Sequence, residues 1–249
     1  MNRTATLEKM ESMKLHGMTR AFRAAGDVGM KNDLTPDEMI GFLIDAEWDE
    51  RYNRKLARRL SSANFRYRAS LNEVDAKPER NIDKNKLLRF ADVDWIHKAE
   101  NIIFTGKTGT GKSFIASAIG HQACLNGFNV LYFNCLKLFS NLKIARADGS
   151  YPKEMRKIKS HDLVILDDFG LSILDKDARL ILLEILEDRT GLTSTIVTSQ
   201  LPIKQWFDII GEPTIADAIM DRLIHSSHKF KLEGVNMRKN SGKSLPPES

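Results

Sequence analysis

The chain has 249 residues, 42% of them apolar and 29% charged, with a net charge of +5 and an isoelectric point near 9.1. That length supports one main domain with an appendage, and no apolar run nears the ~20 residues that a membrane-spanning helix needs. The opening MNRTATLEKMESMKLHGM has no apolar signal-peptide centre, and Cys124 and Cys135 form neither a CxxC pair nor a disulfide framework. The expectation is a cytoplasmic protein without membrane attachment, with a basic balance that suits an anionic partner.

Residues 1–68 read as a helical N-terminal domain. Leu7, Met10, Met13/Lys14 and Met18 keep helical spacing, and Gly26 and Gly29 are expected to end that run. In TPDEM, Thr35 is the expected N-cap, Pro36 takes the first helical position and Glu38 completes a capping box. The helix that follows places Met39, Leu43, Ala46, Leu56 and Leu60 on one side. Between Arg51 and Arg68 stand seven basic residues and no acid: Arg51, Arg54, Lys55, Arg58, Arg59, Arg66 and Arg68. Positions 51, 54, 55 and 58 share one helix face, where like charges repel. A nucleic-acid backbone would relieve that repulsion; a solvated face on a packing helix is the other reading.

SLNEVDAKPERNIDKNKL reads as an extended polar strap. Residues 69–232 then alternate strand and helix: ENIIFTG, a helix over 112–126, NVLYFN, a helix closing at Gly149, DLVILDD, a helix stopped by Gly191, TSTIVTSQ, the helix TIADAIMDRLIHSS and a last strand HKFKL. The pattern implies an α/β fold with a parallel sheet and helices on both faces. DLVILDD is apolar throughout, as a strand covered on both faces should be. Residues 233–249, polar and rich in Pro, Gly and Ser, read as a disordered basic tail.

The stretch from Gly106 through Lys107, Thr108, Gly109, Thr110, Gly111 and Lys112 to Ser113 matches GxxxxGK[ST], between an expected strand and an expected helix. Its glycines let successive N–H groups turn inward around a phosphate chain, aided by the positive end of the helix dipole. Lys112 would reach the β- and γ-phosphates and Ser113 would ligate Mg²⁺, with Phe114 beside the nucleotide. Asp167 and Asp168 close an apolar strand. Asp167 is the expected second metal-holding group, and Asp168 the base that polarises the attacking water. NKLL at 85–88 is not the NKxD base-reading motif and precedes the loop, which argues against guanine and for ATP. The strand tip Thr198-Ser199-Gln200 offers a polar residue to report on the γ-phosphate, with Ser199 and Gln200 equal candidates. Arg222 either reaches a neighbouring subunit's γ-phosphate or pairs internally with Glu212, Asp217 or Asp221.

AENIIFTGKTGTGKSFIASAIGHQA, DLVILDDFGL, TIVTSQLPIKQW and IADAIMDRL together resemble the IstB-like transposition helper ATPases, AAA+ proteins related to the DnaC-type helicase loaders and DnaA initiators. The resemblance runs from the N-terminal helices to about residue 232. It implies an AAA+ core with little or no lid, ATP and Mg²⁺ as cofactors, and assembly of copies on double-stranded DNA with little sequence preference. It also implies hydrolysis stimulated by DNA and service to a cognate transposase. Arg222 falls at the finger position and Thr198-Ser199-Gln200 at the first sensor, where relatives often carry Asn or Asp. Members also carry a DNA-touching helical insertion after the second strand, here Leu136–Lys159, with Lys143 and Arg146 as candidates. A helicase loader shares every nucleotide motif and is the alternative reading.

Overall fold

The computed structural model describes residues 2–27, 34–76, 78–234 and 237. They divide into two units that part at Arg58/Arg59, inside a continuous helix rather than at residue 68.

The first unit contains α1 (Arg3–Ser12), α2 (His16–Asp27) and most of α3 (Pro36–Ala63). The run expected to continue past Met13 breaks there, because Lys14 takes the left-handed conformation (φ 59°) and the backbone closes α1 with Lys14 N–H donating to Glu11 O. The expected stop at Gly26 is absent, since α2 runs through it to Asp27; Gly29 lies outside the described residues. Glu47 of α3 is buried and its carboxylate accepts the backbone N–H of Gly17 (2.7 Å) and Met18 (3.2 Å). An acid thus satisfies two of the orphan donors at the start of α2. The capping box at α3 is as the sequence implied: Thr35 N–H donates to Glu38 (2.7 Å) and Glu38 N–H donates to Thr35 Oγ1 (3.3 Å). Met39, Leu43, Ala46, Leu56 and Leu60 are all half-buried, whereas Ile40, Ile44 and Trp48, the last 72% exposed, stand in solvent on the same helix.

The second unit begins with the end of α3. The residues that follow pack inward, Phe65 edge-on to Tyr132 and Tyr67 tilted against Phe114. The strap is not extended. It turns through short 3₁₀ segments at Leu71–Glu73 and Pro78–Arg80 and buries Leu71, Val74 and Ile82, which would otherwise leave apolar surface in water. α4 (Lys84–Leu88) and α5 (Asp94–His97) lead into β1 (Asn101–Gly106). Then come α6 (Lys112–Leu125), β2 (Val130–Asn134), α7 (Cys135–Asp148), α8 (Tyr151–Lys159), β3 (Leu163–Phe169), α9 (Lys176–Arg189), β4 (Ser194–Ser199), α10 (Trp206–Ile210), α11 (Pro213–Ile224) and β5 (Ser227–Leu232).

The five strands form one sheet in the order β2-β3-β4-β1-β5, parallel throughout. Central β1, β3 and β4 are buried almost end to end, as a sheet covered on both faces requires. Ile103, Val164, Leu166 and Val197 face a core built with α7, α8, α9 and α11. On the other face α6 comes close: a Cβ at Gly120 would meet Ile165 Cδ1 at 2.8 Å and Phe65 Cε1 at 2.6 Å. Arg189, fully buried, ties the layers together by donating to the carbonyls of Ile158, His161 and Ser194. The loops at the carboxyl ends of β1, β3 and β4 open on the same edge, the place where open α/β sheets bind ligands.

Candidate nucleotide site

The loop after β1 bends as its glycines permit. Gly106, Gly109 and Gly111 have φ of 150°, 83° and 88°, values that L side chains resist. At Gly106 a Cβ would also lie 2.3 Å from Leu232 O on the neighbouring strand. Gly111 caps α6, a helix long enough for its N-terminal amides to favour an anion. Lys112 is buried and its ammonium lies along the loop, donating to Gly106 O (2.6 Å) and Lys107 O (2.9 Å).

The acids arrive on a β-bulge. Leu166 pairs with Val197 and Phe169 with Ser199, so Asp167 and Asp168 together oppose the single residue Thr198. Asp168 absorbs the extra residue by adopting φ 59°, a region that Asp tolerates better than most side chains. The bulge breaks the strand's alternation and allows one guanidinium nitrogen, Arg66 Nη1, to reach both carboxylates, at 3.3 Å from Asp167 Oδ2 and 3.0 Å from Asp168 Oδ2. Thr198 serves both acids: its hydroxyl donates to Asp167 Oδ1 (2.5 Å) and accepts the Asp168 N–H (3.1 Å).

Asp167 is wholly buried, a position in which a carboxylate must be well bonded. Oδ1 accepts from Ser113 Oγ (2.7 Å) as well as Thr198, and Oδ2 from the Tyr132 hydroxyl as well as Arg66. Burial and the Asp167 charge push the Tyr132 phenol well above its ordinary range, so it stays a donor. Burial alone would lower Arg66, but its negatively charged surroundings, with the Asp167 and Asp168 carboxylates in contact, outweigh it and raise it. Asn134 Nδ2 donates to Asp168 Oδ2 (3.3 Å) while its Oδ1 caps α7 at the Lys137 N–H (3.3 Å).

Arg66, Lys112, Ser113 and Asp168 line a cavity of about 360 Å³ together with Tyr67, Val74, Thr108, Phe114 and Gln200, within the range of small-ligand pockets. Arg80, 7% exposed, also lines it. Arg80 Nη2 donates to Thr110 O (2.8 Å), while its Nε is buried without a hydrogen-bond partner. Of the expected tail, Glu233 N–H donates to Arg80 O (3.1 Å) and Met237 N–H to Gly109 O (2.9 Å); 235–236 and 238–249 lie outside the described residues. Ser113 and Asp167 set a hydroxyl and a carboxylate oxygen side by side beside the phosphate loop. That oxygen-only pair fits Mg²⁺, a hard cation that takes one or two protein ligands and completes its shell with phosphate and water. Among the described residues no cluster of three or more His, Cys, Asp or Glu could hold a metal unaided.

The remaining candidates fall in different places. Gln200 meets the loop, its Oε1 accepting from Thr108 Oγ1 (2.5 Å). Ser199 is buried and its hydroxyl donates to Phe169 O (2.7 Å), within the turn. Arg222 is outside the cavity lining and pairs with Glu187 (3.0 Å) rather than with Glu212, Asp217 or Asp221. Lys143 is bonded to Asp175, and Arg146 to Asp177 (3.5 Å) and the Tyr151 hydroxyl (3.2 Å). On α3, Arg51 is held by Glu47 (2.7 Å) and Arg54 by Glu50 (3.7 Å), so acids one turn upstream relieve the repulsion expected there. Lys55, Arg58 and Arg59 have no ion pair among the described residues.

Sequence reading missed Arg80, Tyr132 and Asn134, and it named Arg66 and Thr198 only within the basic run and the strand tip, without a role at the acids. Asn134 and Thr198 had a signal, since each is a polar residue near the end of a strand beside β1 or β3. Arg66 had none, being brought to Asp167 from across the chain.

Residues 8–244 match the family model described as IstB-like ATP binding protein. The chain is 45% identical over 235 residues to the putative insertion sequence ATP-binding protein y4pL of Sinorhizobium fredii, covering 94% of this chain and 96% of that one. It is 38% identical to the insertion sequence IS1162 putative ATP-binding protein of Pseudomonas fluorescens, over 79% and 86% of the two chains. Among solved structures it resembles DnaI (TM-score 0.60, 23% identity, 73% of this chain and 100% of that one). It also resembles the DnaC helicase loader (TM-score 0.55, 20% identity, 67% and 98%). These two likenesses bear on the fold.

Proposed function

We propose that this chain, which belongs to the IstB-like ATP-binding protein family, is a magnesium-dependent ATPase whose copies assemble on duplex DNA and serve the transposase of an insertion sequence. The observation that carries the reading is the convergence of Lys112, Ser113 and Asp168 on a single cavity, with buried Asp167 bonded to Ser113.

The phosphate chain lies in the Gly106–Ser113 loop, with Lys112 turning from Gly106 O and Lys107 O to the β- and γ-oxygens. Ser113 and Asp167 hold the metal, which supplies charge neutralisation on those oxygens. Asp168 accepts a proton from the water that attacks the γ-phosphorus as its bond to the ADP oxygen breaks, and Asn134 holds that carboxylate in place. Arg222 leaves Glu187 for the γ-phosphate of a neighbouring copy, which favours assembly when ATP is bound. Each copy then adds a few phosphate contacts, and their sum gives affinity without base readout. Lys55, Arg58 and Arg59 are the cations available for this on α3, and Lys137, Lys153 and Lys157, all exposed and without ion pairs among the described residues, on α7 and α8. The exposed Ile40, Ile44 and Trp48 support self-association of the N-terminal unit. Insertion-sequence proteins at 45% and 38% identity favour the transposition helper over the helicase loader.

The test is ATP turnover with and without duplex DNA, for the wild type and D168N. DNA should accelerate the wild type, and D168N should bind nucleotide but turn over at least about 100-fold more slowly. Turnover indifferent to both changes would refute the proposal.

A further inference from the structure

We propose that Arg66 is the resident counter-cation of the acid pair, a side chain that must leave Asp167 and Asp168 before a divalent cation can be held there. The proposal rests on the nucleotide-and-metal reading above and adds a residue to it.

The argument is one of acceptor capacity. A carboxylate offers about four lone-pair positions. Asp167 has four donors on it: Ser113 and Thr198 on Oδ1, Tyr132 and Arg66 on Oδ2. Thr198 and Tyr132 are buried beneath the acid and do not line the cavity. Ser113 and Arg66 do line it. Ser113 can stay, because its oxygen is itself a metal ligand. Arg66 cannot, because a guanidinium has no acceptor and repels a cation. A metal reaching the Asp167 carboxylate from the cavity therefore exchanges with Arg66. The same nitrogen also holds Asp168 at 3.0 Å, so while Arg66 is in place the base is engaged as well.

The local structure allows the exchange without refolding. Arg66 is flanked by Phe65, edge-on to Tyr132 with ring centroids 6.5 Å apart, and by Tyr67, 6.1 Å from Phe114. Those rings fix the backbone on both sides. The guanidinium also lies 5.7 Å from the Tyr67 ring, a second resting place for a cation. Arg66 lines the same cavity as Lys112, so on release it remains beside the terminal phosphate. Because arginine does not deprotonate in proteins, its release takes a competing cation.

The experiment titrates Mn²⁺, by its electron spin resonance, into full-length protein loaded with a fluorescent non-hydrolysable ATP analogue. With the analogue saturating, R66Q should lower the half-saturating Mn²⁺ concentration about tenfold. In the wild-type protein the Arg66 Nε–H resonance, assigned by its loss in R66K, should shift when Mg²⁺ is added to the analogue complex. An unmoved Mn²⁺ curve at saturating analogue overturns the role of Arg66 alone, as does an unmoved Arg66 resonance. Failure of the wild type to bind the analogue overturns the nucleotide reading and this one with it.

Discussion

The hydroxyl of Thr198 donates to Asp167 Oδ1 at 2.5 Å from the strand next to it, and it accepts the Asp168 N–H in the same position. Two acids on a bulge depend on one hydroxyl. Thr198→Val keeps the shape and removes the donor, leaving a buried carboxylate oxygen short of a partner, at ~1–3 kcal/mol. ATP turnover should fall by about 10- to 100-fold while analogue affinity changes little, and Thr198→Ser should recover most of the rate. Equal rates in Thr198→Val and wild type would show that the hydroxyl does not position the acids.

The pairing of Arg222 with Glu187 sets up a complementation test of the finger. R222A lacks the finger and keeps an intact site; D168N keeps the finger and lacks the base. Each alone should be nearly inactive, yet a mixture should regain a measurable share of wild-type turnover, since one copy supplies Arg222 to another copy's Asp168. A mixture no more active than its parts would place the action of Arg222 within its own chain.

Lys55, Arg58 and Arg59 should behave unlike Arg51 and Arg54. Replacing one of the first three by Ala should flatten the dependence of log binding constant on log salt by ~1 per lost phosphate contact. Arg51→Ala should instead weaken the fold of the N-terminal unit, because it strips the partner from buried Glu47. Binding isotherms at several salt concentrations, with melting curves beside them, separate the two behaviours.

Both cysteines are buried. Burial pushes the Cys124 thiol up to about 12, against a smaller opposing effect of Arg59, and burial likewise raises Cys135 well above its ordinary value. Only the thiolate reacts, so a thiol reagent at neutral pH should leave the native protein unlabelled, and Cys124 labelling should rise about tenfold per pH unit below 12. Denaturant should expose both. Rapid labelling of the native chain near pH 8 would contradict their placement in the core.

The nucleotide loop and the strand with its two acids were legible because their signal is local: glycines, lysine and serine at fixed spacing, and an apolar run ending in carboxylates. The alternation of DLVILDD, NVLYFN and TSTIVTSQ with amphipathic segments was enough to specify a parallel sheet. Other features depended on distance along the chain. No periodicity announces that Arg66 lies against Asp167, or that Asp175 and Asp177 hold Lys143 and Arg146. The bulge at Asp168 is invisible in sequence because a left-handed Asp looks like any other. The break at Lys14 escaped for the same reason, with no glycine to mark it. The strap reads as polar, yet its few apolar residues, Leu71, Val74 and Ile82, decide that it folds down.

The central claim is that nucleotide held at the Lys112 loop joins copies of this chain along a duplex. Sedimentation velocity of the purified protein with plasmid-length duplex, Mg²⁺ and a non-hydrolysable ATP analogue tests it most directly. The wild type should sediment as a large protein–DNA assembly that falls apart when the analogue is withdrawn, and K112A should not form it. Single copies of the wild type under saturating analogue, or an assembly that K112A forms equally well, would contradict the account.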